Sequence, residues 1–253
     1  MTKFNEWCVE TEVAVPKHRL RLVASEPAKL THAIGAVAAA LPDYYASPKR
    51  VAELLRKFNK SAAAKYVEEK LPTSKSIRSG DLGEVLCTAY VAENTPFVQG
   101  IKRLRWKDHR NMSMRGEDVL AFSMGATAGT LKVLKAEVKS RAQMTSKVLG
   151  GARDALSSNQ GLPSPHAVSF VTDRLHEAGE TALADALDDV LLNKGLNTNQ
   201  VTHMLFTFSG SDPTNLLKAN LSGYSGPVPQ HYVGLRVEAH QNFIKNVFEA
   251  VGK

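Results

Sequence analysis

Cysteine is scarce. Cys8 and Cys87 are alone in 253 residues, too few and too far apart for a zinc site or a disulfide framework, and they suit a reducing cytosol. Long apolar runs are missing as well: the longest, Ile34 to Leu41, falls far short of the roughly 20 residues that cross a bilayer, so no membrane association is expected. The start, Met-Thr-Lys-Phe-Asn-Glu-Trp-Cys, has an acid where a signal peptide would have its apolar stretch, and a cytoplasmic location is expected. No Gly-x-x-x-x-Gly-Lys-Ser/Thr occurs, so any ATP-driven step must come from a partner. No Gly-x-Ser-x-Gly occurs either, although Ser225 lies between Tyr224 and Gly226. What is present, 43% apolar and 23% charged residues, is an ordinary globular composition with ample material for a buried core.

The net charge of +7 is local. From Lys102 to Lys147 the chain carries eleven bases and four acids, while the remainder holds 21 of each and is neutral. A concentrated basic segment suits a polyanion, because neutralising phosphates releases condensed counterions whichever bases are read. The plainer alternative is a solvated basic face.

Periodicity divides the chain near residue 75. Residues 1–75 read as an N-terminal α/β extension: strand-like alternation at Trp7, Val9 and Val13 and at Leu20 and Leu22, then helix over Ala28 to Leu41. Ser47-Pro48 starts a second helix carrying Val51, Leu54, Leu55 and Phe58, with Ser as N-cap and Pro at the first position. Residues 76–253 read as the core, with a helical insertion at about 160–195. A helix over Asp81 to Ala92 precedes strands at Phe97 to Trp106, Asp118 to Met124 and Leu131 to Lys139, with a turn at Gly125 to Thr130. Helix from about Ser146 to Ser158 follows, then two helices up to Leu192. Strands at Thr202 to Phe208 and Tyr232 to Val237 and a closing helix at Asn242 to Val251 complete a mixed α/β (α+β) fold.

Chemistry concentrates inside the basic segment. On a strand over residues 131–140, period two sets Leu134, Ala136 and Val138 on one face and Lys135, Glu137 and Lys139 on the other. Glu137 can hold a hard cation while Lys139 orients a water, although Glu-x-Lys is ordinarily a surface pair. Gly116-Glu117-Asp118 puts an acid at the mouth of a strand that would form a hairpin with the first, so Asp118 and Glu137 can converge on one magnesium, with the Val138 carbonyl as a further oxygen. Either acid of the Glu117-Asp118 pair is open as the inward one. Glu84 is either an accessory carboxylate or the second half of a capping box with Asp81. Trp106, between Arg105 and Lys107, can stack on an unpaired base, though a lone strand Trp more often packs.

Glu84, Gly116-Glu117-Asp118 and Glu137-Val138-Lys139, on helix, strand and strand, resemble the PD-(D/E)xK nuclease superfamily with its restriction-endonuclease-like core, without the proline that usually precedes the Asp. More narrowly, Ser79-Gly-Asp-Leu-Gly-Glu84, Arg105-Trp-Lys-Asp108, Arg115-Gly-Glu-Asp118 and Ala136-Glu-Val-Lys-Ser140 resemble the family of nuclease-effector subunits (HamA) of the Hachiman anti-phage system, over most of the chain. The resemblance implies a DNase dependent on Mg2+ (or Mn2+), held in check by a partner helicase encoded alongside. It implies Asp118, Glu137 and Val138 at the metal, Lys139 on the water and Glu84 in an accessory role. Arg103, Arg105, Lys107, Arg110, Arg115 and Arg141 are then expected to contact phosphates. A non-catalytic nucleic-acid-binding adaptor and an RNA-cleaving toxin share the same residues.

Overall fold

Strands and helices form where the two periodicities place them, and a computed structural model, which describes residues 3–125 and 131–252, shows how one sheet collects them. The strands are β1 (Cys8–Val13), β2 (Arg19–Ser25), β3 (Val98–Gln99), β4 (Val119–Met124), β5 (Leu131–Arg141), β6 (Val201–Ser209) and β7 (Gln230–Arg236). The helices are α1 (Leu30–Ala40), α2 (Pro42–Tyr45), α3 (Pro48–Lys57), α4 (Lys60–Lys70), α5 (Lys75–Asn94), α6 (Ser146–Ser157), α7 (Pro165–Ala178), α8 (Thr181–Asp189), α9 (Thr214–Ser222) and α10 (His240–Ala250). The sheet order is β1-β2-β7-β6-β5-β4-β3. Its centre, from β2 to β5, is parallel, and β1, β4 and β3 join antiparallel. The fold is therefore mixed α/β. Because β1 and β2 belong to this same sheet and α1 packs on α10, these three elements share the core of the rest.

Both faces are covered, so every residue of β6 except Thr202 and of β7 except Arg236 is buried, polar ones included. Leu134, Ala136, Met204, Phe206, Phe208 and Leu235 meet α1, α5 and α10 on one face. On the other, Leu205 and Tyr232 meet α6 and α9, while Leu120, Phe122 and Val133 meet α7 and α8, the expected helical insertion. Among the described residues no helix is long and apolar enough to cross a membrane.

Two expectations need correction. The strand over Phe97 to Trp106 shrinks to β3, and Arg103–Trp106 forms a single 3-10 turn. A strand would aim Arg103 and Arg105 the same way, whereas the turn sends them to carboxylates on different elements. The helix expected at Asp81 begins instead at Lys75. The residues leading into it are held from a distance, since the Thr73 and Ser74 N–H groups donate to the Asn111 side-chain oxygen at 2.8 and 3.0 Å. Asp81 and Glu84 are therefore interior to α5 and form no capping box. The turn placed at Gly125 to Thr130 falls, from 126 onward, outside the described residues. Helices α2, α4 and α9 had no counterpart in the sequence reading.

Candidate active site

The site grows from the β4–β5 hairpin. Its antiparallel register pairs Val119 with Ala136, and one step further Asp118 faces Glu137. Gly116, at φ +88°, turns the chain into β4 in a conformation that disfavours a side chain, and so delivers Glu117 and Asp118 at the strand mouth. The two acids then part. Glu117 accepts from the N–H and hydroxyl of Ser164, the N-cap of α7, at 2.6 and 3.0 Å. Asp118 accepts from the Val138 N–H at 2.8 Å, taking the place of a ladder partner where β4 has ended. Asp118 is thus the inward acid. A strand residue turns its N–H and C=O to the same edge, so the Val138 carbonyl faces this place as well. Glu137 pairs with Lys139, two residues along the same face of β5.

Glu84 reaches the cluster from α5. Gly83, just before it, lets the helix approach β5 closely, for a Cβ there would stand 3.1 Å from the Val138 side chain and 3.2 Å from that of Ser140. Ser140 itself is tied to α5 and α10, through Ser79 at 2.8 Å and His240 at 3.1 Å. Arg103 then joins the acids. It grips Glu84 with two hydrogen bonds of 2.9 and 2.8 Å, and the nitrogen of the second also reaches Asp118 at 3.0 Å. One guanidinium thereby links carboxylates from two elements.

The acids stand in a poorly solvated place. Burial pushes Glu84 up to about 7 despite Arg103, with Asp118 and Asp81 adding repulsion. Burial and then Asp118 also raise Glu137, opposed by Lys139. Arg103 is held above the usual guanidinium range: burial works against its charge, and Glu84 and Asp118 outweigh it.

Only part of the basic segment faces solvent. Arg103, Arg105 and Lys107, expected at phosphates, are instead engaged by carboxylates. Arg105 donates to the Asp43 side chain and carbonyl at 2.6 and 2.9 Å, and Lys102 pairs with the same Asp43. Lys107, nearly buried, donates to Asp81 at 2.7 Å, which Tyr45 also bonds. Lys135 is buried as well, pairing with Glu117 at 3.9 Å and donating to the Leu156 and Leu162 carbonyls at 3.1 and 3.0 Å. A desolvated base already given an acid or a carbonyl is a poor phosphate ligand. Arg115 and Arg141 are exposed and Arg110 half-exposed. Trp106 is half-buried, edge-to-face with Phe170 at 6.2 Å. It lines a cavity of about 830 Å³ between residues 107–118 and α7, and Arg103 and Asp118 line that cavity too.

The donor set fits a hard divalent cation. Arg103 joins Glu84 and Asp118, and Glu137 feels the Asp118 charge, an all-oxygen set whose ligand atoms do not all come within 4.8 Å of one another as they stand. Sequence reasoning missed Arg103 in this role, and also Asp81 and Asp43, because their partners lie 15 to 62 residues away. Among the described residues, His176, Asp185 and Asp188 form a separate exposed group with ligand atoms within 4.8 Å of one another.

Comparison with known proteins extends over nearly the whole chain. The HamA family model matches residues 2–251. The Hachiman protein HamA of Bacillus cereus is 24% identical over 237 residues, covering 91% of this chain and 83% of that protein.

Proposed function

The chain belongs to the HamA family, and from that membership together with the carboxylate cluster we propose that it is a metal-dependent deoxyribonuclease effector of the Hachiman defence system, held in check by a partner helicase in the cytoplasm. The observation that supports this best is the meeting of Asp118 with the Val138 N–H across from Glu137, while Glu84 is drawn to the same place through Arg103. Helix α5, the β4–β5 hairpin, α6 and β6 follow one another in the order that the PD-(D/E)xK reading requires.

Asp118, Glu137 and the Val138 carbonyl are the residues to hold Mg2+ or Mn2+, with Glu84 as an accessory carboxylate. When bound, the cation supplies an activated water and offsets charge on the phosphodiester. The protein's own groups prepare the place. Glu137 fixes Lys139, whose ammonium donates toward a nucleophilic water and orients it. The α5 wall excludes bulk solvent and so strengthens each charge interaction. Exposed Arg115 and Arg141 and half-exposed Arg110 steer the polyanion toward the acids.

The test is cleavage of plasmid DNA by purified protein with Mg2+ or Mn2+, alone and with its partner. Wild type is expected to cut, and Glu137→Ala and Lys139→Ala to lose cutting. Intact plasmid under every condition, or variants that cut like wild type, would sink the reading. DNA binding that is salt-sensitive yet indifferent to EDTA and to Asp118→Ala would mark a binding adaptor instead.

A further inference from the structure

The cavity beside the acids has a chemistry that cleavage of a phosphodiester does not by itself require. Its walls include two half-buried aromatic side chains, Trp106 and Phe170, whose rings are held edge-to-face at 6.2 Å. Arg174 sits over both, 5.7 Å from the Trp106 ring and 5.3 Å from that of Phe170, which fixes them in place. Met112 lines the cavity as well, and although apolar it is 59% exposed. Solvent-facing aromatic and thioether groups around a concave space are costly in water and suit a flat apolar ligand.

Position selects the ligand. Arg103 and Asp118 line both the cavity and the carboxylate cluster, so a phosphate held at Asp118 and Glu137 would set its own nucleoside at the cavity mouth. Exposed Arg115 stands on the same rim, where a neighbouring phosphate would pass. At about 830 Å³ the space is that of a small-molecule pocket: it takes a single nucleoside and no duplex. A base can enter only if it is unpaired, because in a duplex its faces are stacked and its edge is paired.

We infer that this cavity receives an unpaired nucleobase of the strand being cut, stacked against Trp106 and Phe170. The substrate of the site is then single-stranded or locally opened DNA. This rests on the nuclease reading above and narrows it. A free nucleoside monophosphate offers the same base and phosphate chemistry, and the test separates the two sources.

The experiment uses full-length protein carrying Glu137→Gln, so that binding is read without cutting. Three fluorescein-labelled DNA probes are compared by anisotropy: a 12-residue single strand, the same sequence as a blunt duplex, and a 12-residue strand of abasic sites. Stacking predicts about tenfold tighter binding of the base-bearing strand than of the abasic one. It also predicts quenching of 2-aminopurine placed in the strand. Phe170→Ser and, at the exposed position, Met112→Glu are expected to bring the ratio of base-bearing to abasic affinity down toward one. Equal affinity for abasic and base-bearing strands, or a Met112→Glu protein that folds like wild type and keeps the preference, overturns the pocket. Deoxynucleoside monophosphates that displace the strand at equal concentration overturn its assignment to a strand. The nuclease reading fails separately, by the plasmid assay with wild-type protein, and the anisotropy comparison stands whichever way that falls.

Discussion

Arg103→Ala isolates the electrostatics of the site. The Arg103 side chain is 12% exposed and that of Glu84 10%, so the substitution removes one partner of a nearly buried, doubly hydrogen-bonded pair and takes the Asp118 contact with it. Deleting one member of such a pair costs about 3–5 kcal/mol. For a chain of this length each kcal/mol moves the melting temperature by about 2–4 °C, so a fall of about 10 °C is expected in EDTA at pH 8. Two conditions should shrink the deficit. Arg103 holds down the Glu84 pKa, which is about 7 with Arg103 present, so in the variant Glu84 takes up its proton at a higher pH instead of standing as a bare charge. Its folded pKa lies above the ordinary value, so protonation favours the folded state, and the variant gains on wild type toward pH 6. Divalent cations should act in the same direction, because a guanidinium and a dication compete for the same oxygens. At one hundred times its dissociation constant a ligand of the folded state contributes about 2.7 kcal/mol. Thermal melts followed by circular dichroism, at pH 6 and pH 8, with EDTA or Mn2+, read all of this. A variant within about 2 °C of wild type in EDTA at pH 8 would refute the reasoning. So would one that Mn2+ stabilises no more than it stabilises wild type.

Glu137→Gln should abolish plasmid cleavage and yet melt higher than wild type by about 1 kcal/mol, because the carboxylate is held partly desolvated beside Asp118; urea midpoints check it, and a less stable variant counts against the burial reading. Lys135→Ala orphans the Leu156 and Leu162 carbonyls and should cost about 3 kcal/mol in urea unfolding, whereas a loss below about 1 kcal/mol would mean that water replaces the ammonium. Burial pushes His203, His231 and His240 down to about 4. The unfolded chain then binds more protons between pH 6.5 and 4, so these groups contribute stability above 6.5 that is lost as pH falls, up to about 3 kcal/mol each. Glu84 works in the opposite sense and offsets about one of them. Imidazole proton shifts in an NMR titration should show three rings still neutral at pH 5.5, and a midpoint near 6.5 for any of them contradicts its burial.

Periodicity located most of the strands and the longer helices because those elements are amphipathic or buried along their own length. It also exposed Asp118 and the Glu137-Val138-Lys139 run, since a hairpin register can be counted from the sequence. What stayed hidden depends on partners distant along the chain. Ser74, the N-cap residue of α5, makes no capping hydrogen bond with its side chain, and the segment leading into the helix is held by the distant Asn111. Nothing near Glu117 says that it belongs to Ser164, which left the choice between Glu117 and Asp118 open until α7 was in place. The basic segment misled in the same way. Counting charges along the chain treats its bases as neighbours on one surface, whereas the fold scatters Arg103, Arg105, Lys107 and Lys135 into four separate contacts, buried or partly buried.

That scattering bears on how the site can exist at all. Carboxylates brought together away from water repel one another and lose hydration, so the folded chain must place a cation among them or leave them protonated. Lysine would serve one of them as a point charge. A planar guanidinium can hold Glu84 with two parallel bonds and still touch Asp118, which is the geometry observed. Arg103 comes from a turn whose neighbours, Lys102 and Arg105, are both anchored to Asp43 on α2. The cation that keeps the acids charged is therefore held by residues 42–45, at a distance from the hairpin that carries Asp118, Glu137 and Lys139. Charge balance at the acids and the position of α2 are coupled through this one turn. Asp43→Ala, which leaves every acid of the cluster in place, acts on Arg103 only through that coupling.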